Sequence, residues 1–206
     1  MQSISNAPLV SVIMNCYNGE RYLQKSIDSI YTQTYQNWEI IFWDNASTDS
    51  SANIVKDYDK RIKYYLAPKT TPLGEARNFA LEKVSGEYIA FLDCDDIYLP
   101  DKLERQVELM QSKDYAMCYG SVAIINESGK EVKKDIVKNK SGNIFSSLLR
   151  RYEINMQTVM LKRDFVISNH LSFNTSMSYC PDHNLLMTIA SKVDVGVITD
   201  VVAKYR

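Results

Sequence analysis

Tyr88 to Leu92 is a run of apolar and aromatic residues that stops at three carboxylates packed into four positions, Asp93, Asp95 and Asp96. A run this short, closed by polar residues, suits a central strand of a parallel sheet buried on both faces. Open α/β sheets bind ligands at the carboxyl ends of their strands, so the acids stand where such a site is built. Crowded acids repel unless positive charge lies among them. A hard divalent cation is the counter-charge that carboxylate oxygens prefer. The plainer reading is a solvated acidic loop that caps the helix opened by Pro100 and Asp101.

The residues before this stretch set its context. Leu9 to Asn15, Glu39 to Trp43 and Ile62 to Leu66 read as strands. Leu23, Ile27, Ile30 and Tyr31 fall at helical spacing over Glu20 to Thr34. Ser47, Thr48 and Asp49 read as the capped start of a helix carried by Ala52, Val55 and Tyr58. Leu73, Ala76, Ala80 and Val84 mark another helix, with Gly86 as its stop. The pattern predicts a β-α-β-α-β-α-β unit with a doubly wound, parallel sheet. Its carboxyl edge gathers Asn15 to Asn18, Asp44 and Asp93 to Asp96 in one crevice.

No Gly-x-Gly-x-x-Gly or Walker loop occurs, which argues against a dinucleotide or an ATP held by a P-loop. Arg77, just ahead of the carboxylate strand, is the candidate basic residue for a phosphate. With 206 residues and 45% of them hydrophobic, the chain suits one globular domain. The net charge of −1 gives no basic surface for nucleic acid. Four cysteines without CxxC or zinc spacing fit a reduced, cytoplasmic setting. No run reaches the length of a membrane span, and the N-terminus lacks a signal-peptide pattern.

After Pro100 the elements are shorter. A helix carries Leu103, Val107 and Met110. Strands are expected at Tyr115 to Ile125, Glu131 to Val137, Thr158 to Leu161 and Val193 to Tyr205. A short helix is expected at Ile144 to Leu149. Tyr179 to Asn184 opens a last helix, with Pro181 near its start. The stop at Arg206, straight after an apolar run, reads as that of a fragment of a longer protein.

Four blocks together resemble the GT-A-fold family 2 glycosyltransferases: PLVSVIMNCYNGERYLQKSIDSI, WEIIFWDNASTDSS, PLGEARNFALEKVSGEYIAFLDCDDIYLPDKL and SYCPDHNLLMTIA. The resemblance covers nearly the whole chain. It implies a Rossmann-like, mostly parallel central sheet flanked by helices, with a smaller mixed β region in the second half. It also implies a nucleotide-binding half at 1–112 and an acceptor-side half at 113–206. The activity implied is inverting transfer from a nucleotide-diphospho-sugar, UDP favoured, to a glycan or lipid-linked glycan acceptor in surface polysaccharide synthesis. Mn²⁺ or Mg²⁺ would assist, with peripheral contact at the inner membrane face.

By the same resemblance, Asp95 matches the metal-binding position of the Asp-x-Asp signature. Asp93 matches the acid beside ribose and diphosphate, and Asp96 an acid that orients the loop or holds a metal-bound water. Asp44 matches the carboxylate that meets the base, with Cys16, Tyr17 and Asn18 lining that pocket and Cys94 beside it. Arg77 matches a basic residue near the nucleotide, and Asp182 the catalytic base. The chain departs from the pattern at three places. It has Asn15-Cys16 for Pro-Thr, Asp44-Asn45-Ala46 for Asp-Asp-Gly, and Pro181-Asp182 for Glu-Asp. Tyr205-Arg206 resembles the start of a Tyr-Arg-x-His element. Two other functions stay open, a metal-dependent phosphotransferase and a non-catalytic nucleotide-sugar-binding module.

Overall fold

The structure is a computed structural model that describes residues 7–177 and 180–206. Tyr179, placed by the sequence at the opening of the last helix, lies outside the described residues. The first half alternates strand and helix: β1 (Val10–Cys16), α1 (Glu20–Tyr31), β2 (Trp38–Asp44), α2 (Ser51–Lys56), β3 (Ile62–Leu66), α3 (Leu73–Leu81) and β4 (Tyr88–Phe91). There follow β5 (Ile97–Tyr98), α4 (Lys102–Ser112), β6 (Met117–Ile125), β7 (Glu131–Asp135), α5 (Phe145–Arg150), β8 (Met160–Lys162), α6 (Arg163–Ser168), α7 (Pro181–Ala190) and β9 (Gly196–Tyr205).

One sheet runs β3-β2-β1-β4-β8-β6-β9-β5, with β7 beside β6. β3, β2, β1 and β4 are parallel. β8 then runs antiparallel to both β4 and β6, which makes the second half mixed. No helix among the described residues is long and apolar enough to cross a membrane.

Burial on both faces explains the unbroken apolar runs. Val10, Val12, Met14 and Cys16 alternate onto one side of β1 and pack with Leu23, Ile27 and Ile30 of α1 and Leu103 and Val107 of α4. Ile13 lies on the other side with Ala76 and Ala80 of α3 and Leu185 and Ile189 of α7. The carboxyl ends of β1 and β2 finish level, Cys16 opposite Asp44. β1 and β4 stay in register through Ile13 opposite Phe91.

Two local expectations change. Gly86 does not stop a helix, since α3 ends at Leu81. Its role is close approach: an added Cβ would lie 2.5 Å from Leu9 O, and its N–H donates to Ser11 Oγ at 2.8 Å. Ser47 and Thr48 do not cap a helix either, whereas Asp49 Oδ1 accepts from Ser51 N, the first residue of α2. α2 starts four residues after Ser47, and its N-cap Ser50 makes no side-chain cap bond.

Lys102 is wholly buried under α4, its Nζ on Gln106 Oε1 and 3.9 Å from the centre of the Tyr98 ring. Burial pulls its ammonium down to about 7, against a weaker opposite pull from Cys118. Between there and the ordinary value of 10.5 the unfolded chain holds the proton and the native chain does not. Stability from this group therefore rises with pH across that window. Lys102→Met removes the buried charge and leaves Gln106 Oε1 without its donor. The expected net gain is about 2 kcal/mol at pH 7, shrinking away toward pH 10. Urea unfolding of both proteins at a series of pH values checks this.

Candidate functional site

The carboxyl ends of β1, β2 and β4 form the floor of the site. Cys16 closes β1 in the core, 1% exposed, with Sγ 3.6 Å from Ser51 Oγ. A hydrogen bond from the Cys94 thiol draws Cys16 below the ordinary thiol range, and Cys94 is raised in return. Tyr17 stands out at the rim, half exposed. Asn18 takes a left-handed backbone with φ 53°, which asparagine tolerates.

The polar residues after β2 bond across to the turn after β1. Asn18 Oδ1 accepts from Thr48 N, and Asn18 N donates to Ser47 Oγ. Asp49 Oδ2 accepts from Glu20 N. These bonds tie the two loops into one rim, while the other Asp49 oxygen accepts from Ser51 N at the start of α2. Ala46 sits in this loop with φ 63°, a backbone that costs an L-residue roughly 1–2 kcal/mol. Ala46→Gly relieves that strain, so it is expected to raise stability by about 1 kcal/mol, read as a shift of the urea midpoint at constant slope.

Asp44 ends β2 as expected, but it is not open to a ligand. It is 1% exposed, with Oδ1 accepting from Ser47 N at 2.7 Å and Oδ2 from the Tyr64 hydroxyl at 2.6 Å. Tyr64, on β3, is the half-exposed group at this edge. A single tyrosine in an edge strand carried no sequence signal for that role.

The acids after β4 separate into two environments. Arg77 reaches from α3 with Nη2 at 3.0 and 3.1 Å from the two Asp93 oxygens. Its guanidinium is almost wholly buried, whereas the Asp93 side chain is 37% exposed. Asp95 is partly buried, and burial together with the Asp93 charge raises its carboxyl.

Asp96 departs from the expectation of three acids facing one cation. It is fully buried, with Oδ1 accepting from Arg206 N at 2.9 Å and Oδ2 without a partner among the described residues. Burial, then the Asp93 charge, pushes its carboxyl up to about 8. The chain turns between Asp93 and Asp96, with Asp96 N donating to Asp93 O, and the turn sends Asp96 inward. Arg206 holds this turn: Nε donates to Asp95 O, and the guanidinium lies 4.0 Å from the centre of the Tyr22 ring.

Asp182 lies in the first turn of α7, partly buried. It lines a cleft of about 470 Å³ with Arg77, Asp93, Tyr152, Gln157 and Tyr205. Its charge adds to burial in raising the Tyr152 hydroxyl. The fold thus brings Arg77, Asp93 and Asp182 to one opening, although they lie far apart in sequence. Glu153, which no sequence pattern marked, braces this wall by accepting from Tyr119 OH, Lys138 N and Asn139 N.

The donor set suits a hard cation in part. Asp93 and Asp95 offer only oxygen, and the Asp95 carboxyl is raised by burial and then by the Asp93 charge, the second of which a cation relieves. Among the described residues no group of three or more His, Cys, Asp or Glu could hold a metal ion.

The sequence profile of glycosyl transferase family 2 matches residues 11–177. An uncharacterized glycosyltransferase of Haemophilus influenzae is 38% identical over 164 residues, 78% of this chain and 65% of that protein. The UDP-Glc:alpha-D-GlcNAc-diphosphoundecaprenol beta-1,3-glucosyltransferase WfgD of Escherichia coli is 35% identical over 201 residues, 96% of this chain and 77% of that one. Several curated relatives are longer, and the chain spans about a third to two thirds of their length. Residues 1–349 of Staphylococcus aureus TarS, solved with UDP-GlcNAc, superpose with a TM-score of 0.83 at 21% identity, over 95% of this chain and 58% of that one. That superposition gives the same α/β, GT-A fold as this sheet. The profile match covers most of the chain and the curated relatives agree with it: the chain belongs to glycosyl transferase family 2.

Proposed function

We propose that this chain is the catalytic domain of an enzyme that moves a sugar from a nucleoside-diphosphate donor, UDP favoured, to an acceptor hydroxyl with inversion. One observation carries the reading: Arg77, Asp93 and Asp182 line a single cleft at the carboxyl edge of the sheet. The relatives agree in kind, since TarS was solved with UDP and with UDP-GlcNAc, and WfgD is named for a UDP-Glc donor and a lipid-linked acceptor. Donor binding is assigned to residues 1–112 and acceptor binding to residues 113–206. An acceptor on a lipid carrier, met at the inner membrane face during polysaccharide synthesis, fits the same reading.

Each residue has a separate task. Arg77 supplies a fixed positive charge where the diphosphate gathers negative charge as it leaves. Asp93, held by Arg77, is placed beside the ribose and diphosphate. Asp95 and the open side of Asp93 would hold Mn²⁺ or Mg²⁺, which when bound acts as a Lewis acid toward the diphosphate. Asp182 accepts the proton of the acceptor hydroxyl as that oxygen attacks from the face opposite the diphosphate. Direct attack needs no covalent enzyme intermediate, and the anomeric configuration inverts. The base reaches Asp44 only if the Tyr64 hydroxyl swings away, so Tyr64 is the first group it meets.

Proton NMR of the product formed from a panel of UDP-sugars and a glycosyl-diphosphate-lipid acceptor tests the reading. A new glycosidic anomeric signal of inverted configuration is expected. Donor binding with no product from any pair would favour a non-catalytic binding module.

A further inference from the structure

Cys16 and Cys94 meet on the floor of this site, and nothing in the proposed transfer uses a thiol. Their meeting follows from the sheet. β1 and β4 pair in parallel from Val10 opposite Tyr88 to Ile13 opposite Phe91, and Leu92 N still donates to Ile13 O at 3.0 Å. β4 ends at Phe91, and Cys94 lies in the turn beyond it, beside the Cys16 end of β1. Both fall on the same face as Met14 and Leu92 and pack in the same core cluster.

The sulfurs also converge on one point. A Cβ added to Gly19 would lie 2.7 Å from Cys16 Sγ and 2.8 Å from Cys94 Sγ. The Cys94 backbone is held in place by Ser26 Oγ, which donates to Cys94 O at 2.9 Å. All four cysteines are free, Cys16 buried and Cys94 partly exposed. Through that shared point the two sulfurs lie within about 5.5 Å of each other, so a disulfide needs them drawn closer.

We infer that Cys16 and Cys94 are a reversible modification site, a dithiol that a low-molecular-weight disulfide oxidises to a Cys16–Cys94 bond, and that this bond weakens donor binding. The effect on the donor rests on the reading of the cleft given above; the bond itself does not. The partly exposed Cys94 passes its thiol proton to Cys16 across their hydrogen bond and attacks one sulfur of oxidised glutathione, and the first glutathione leaves. Cys16 then attacks the Cys94 sulfur, forming the protein disulfide and releasing the second glutathione. The two thiol protons end on the two glutathione sulfurs. The protein dithiol is oxidised and the small disulfide is reduced.

The consequence is mechanical. Cys94 stands between Asp93 and Asp95, and Cys16 immediately precedes the Tyr17–Asn18 turn. Drawing the sulfurs to bonding distance, about 2 Å, pulls the acidic turn toward the end of β1. Asp93 is then displaced from Arg77, and the two sides of the donor floor close on each other.

The test treats the chain with oxidised glutathione and maps its peptides by mass. A linked Cys16–Cys94 peptide pair, lighter by two hydrogen atoms and separated again by dithiothreitol, is expected. The exposed Cys180 instead carries a glutathione adduct. In Cys94→Ser no linked pair is expected, and Cys16 stays a thiol. UDP with Mn²⁺ is then titrated against the reduced and the linked protein. At least a tenfold weaker affinity is expected for the linked form, restored by reduction. Reaction at Cys180 alone, or equal UDP affinity in both forms, overturns the inference. If the reduced chain binds no nucleotide, the donor-site reading fails, and the peptide map still decides whether the dithiol forms its bond.

Discussion

Asp182→Asn is expected to lower kcat by roughly 10²–10⁴-fold while leaving the affinity for UDP within about twofold. The amide keeps the shape of the carboxylate but cannot take a proton. Asp182 is partly buried in the first turn of α7, and no hydrogen bond of its side chain braces the fold among the described residues. Stability should therefore change by less than about 0.5 kcal/mol. Single-turnover transfer with saturating donor and acceptor measures the loss directly. A variant that retains more than a tenth of the parent rate removes Asp182 from the role of base. It would also turn attention to the other groups of that wall, Tyr152 and Glu153, both of which line the same cleft.

Arg77→Met is expected to reduce kcat/KM roughly 10²–10³-fold, with weaker UDP binding as a large part of the loss. Methionine keeps most of the stem against the Phe173 ring, 5.6 Å from the guanidinium, and removes only the charge and the bonds to Asp93. Breaking a buried ion pair costs about 3–5 kcal/mol when the remaining charge is itself buried. Here the Asp93 side chain is 37% exposed, so water takes over part of the solvation. The expected stability loss is about 1–3 kcal/mol. Arg77→Lys restores charge without the planar fork and should recover only part of the affinity. Calorimetric UDP titration beside transfer rates separates binding from chemistry. A kcat/KM within tenfold of the parent would mean that Arg77 serves only to hold the turn after β4.

The strands that carry the site were legible because their burial leaves little freedom. β1, β2 and β4 lie within one residue of their sequence assignments, and β3 matches at both ends. Two-sided burial makes β1, β2 and β4 largely apolar, with polar residues closing each at the edge, whereas β3 is an exposed edge strand. β5, of two residues, and α6, of six, were missed. Neither is long enough to show a period, and α6 follows β8 with no turn residue between them.

Side-chain direction within the loops was the harder part. Asp93, Asp95 and Asp96 look alike in sequence, and only the turn from Asp93 to Asp96 sends the last of them into the core. Asp44 was legible in position and not in state, because the Tyr64 hydroxyl that occupies it comes from another strand. The Ser47–Asp49 segment reads as a cap by local rules, yet only Asp49 bonds to the start of α2, and Ser47, Thr48 and the other Asp49 oxygen bond to the neighbouring β1–α1 turn. A local rule loses there because the rim offers partners that a single helix end does not. Arg77 shows the opposite case. Its place on the helix just ahead of the carboxylate strand marked it as the candidate basic residue, and it pairs with Asp93, 16 residues on.

The central claim is that the carboxyl edge of this sheet binds a nucleoside diphosphate with a divalent cation. Thermal unfolding of the chain with UDP, with and without Mn²⁺, tests it most directly. At about 100 times its dissociation constant, UDP with Mn²⁺ should add about 2.7 kcal/mol of stability. Asp95→Ala should abolish that gain without changing the unfolding of the free chain. A transition that no nucleoside diphosphate shifts, with or without metal, would contradict the account.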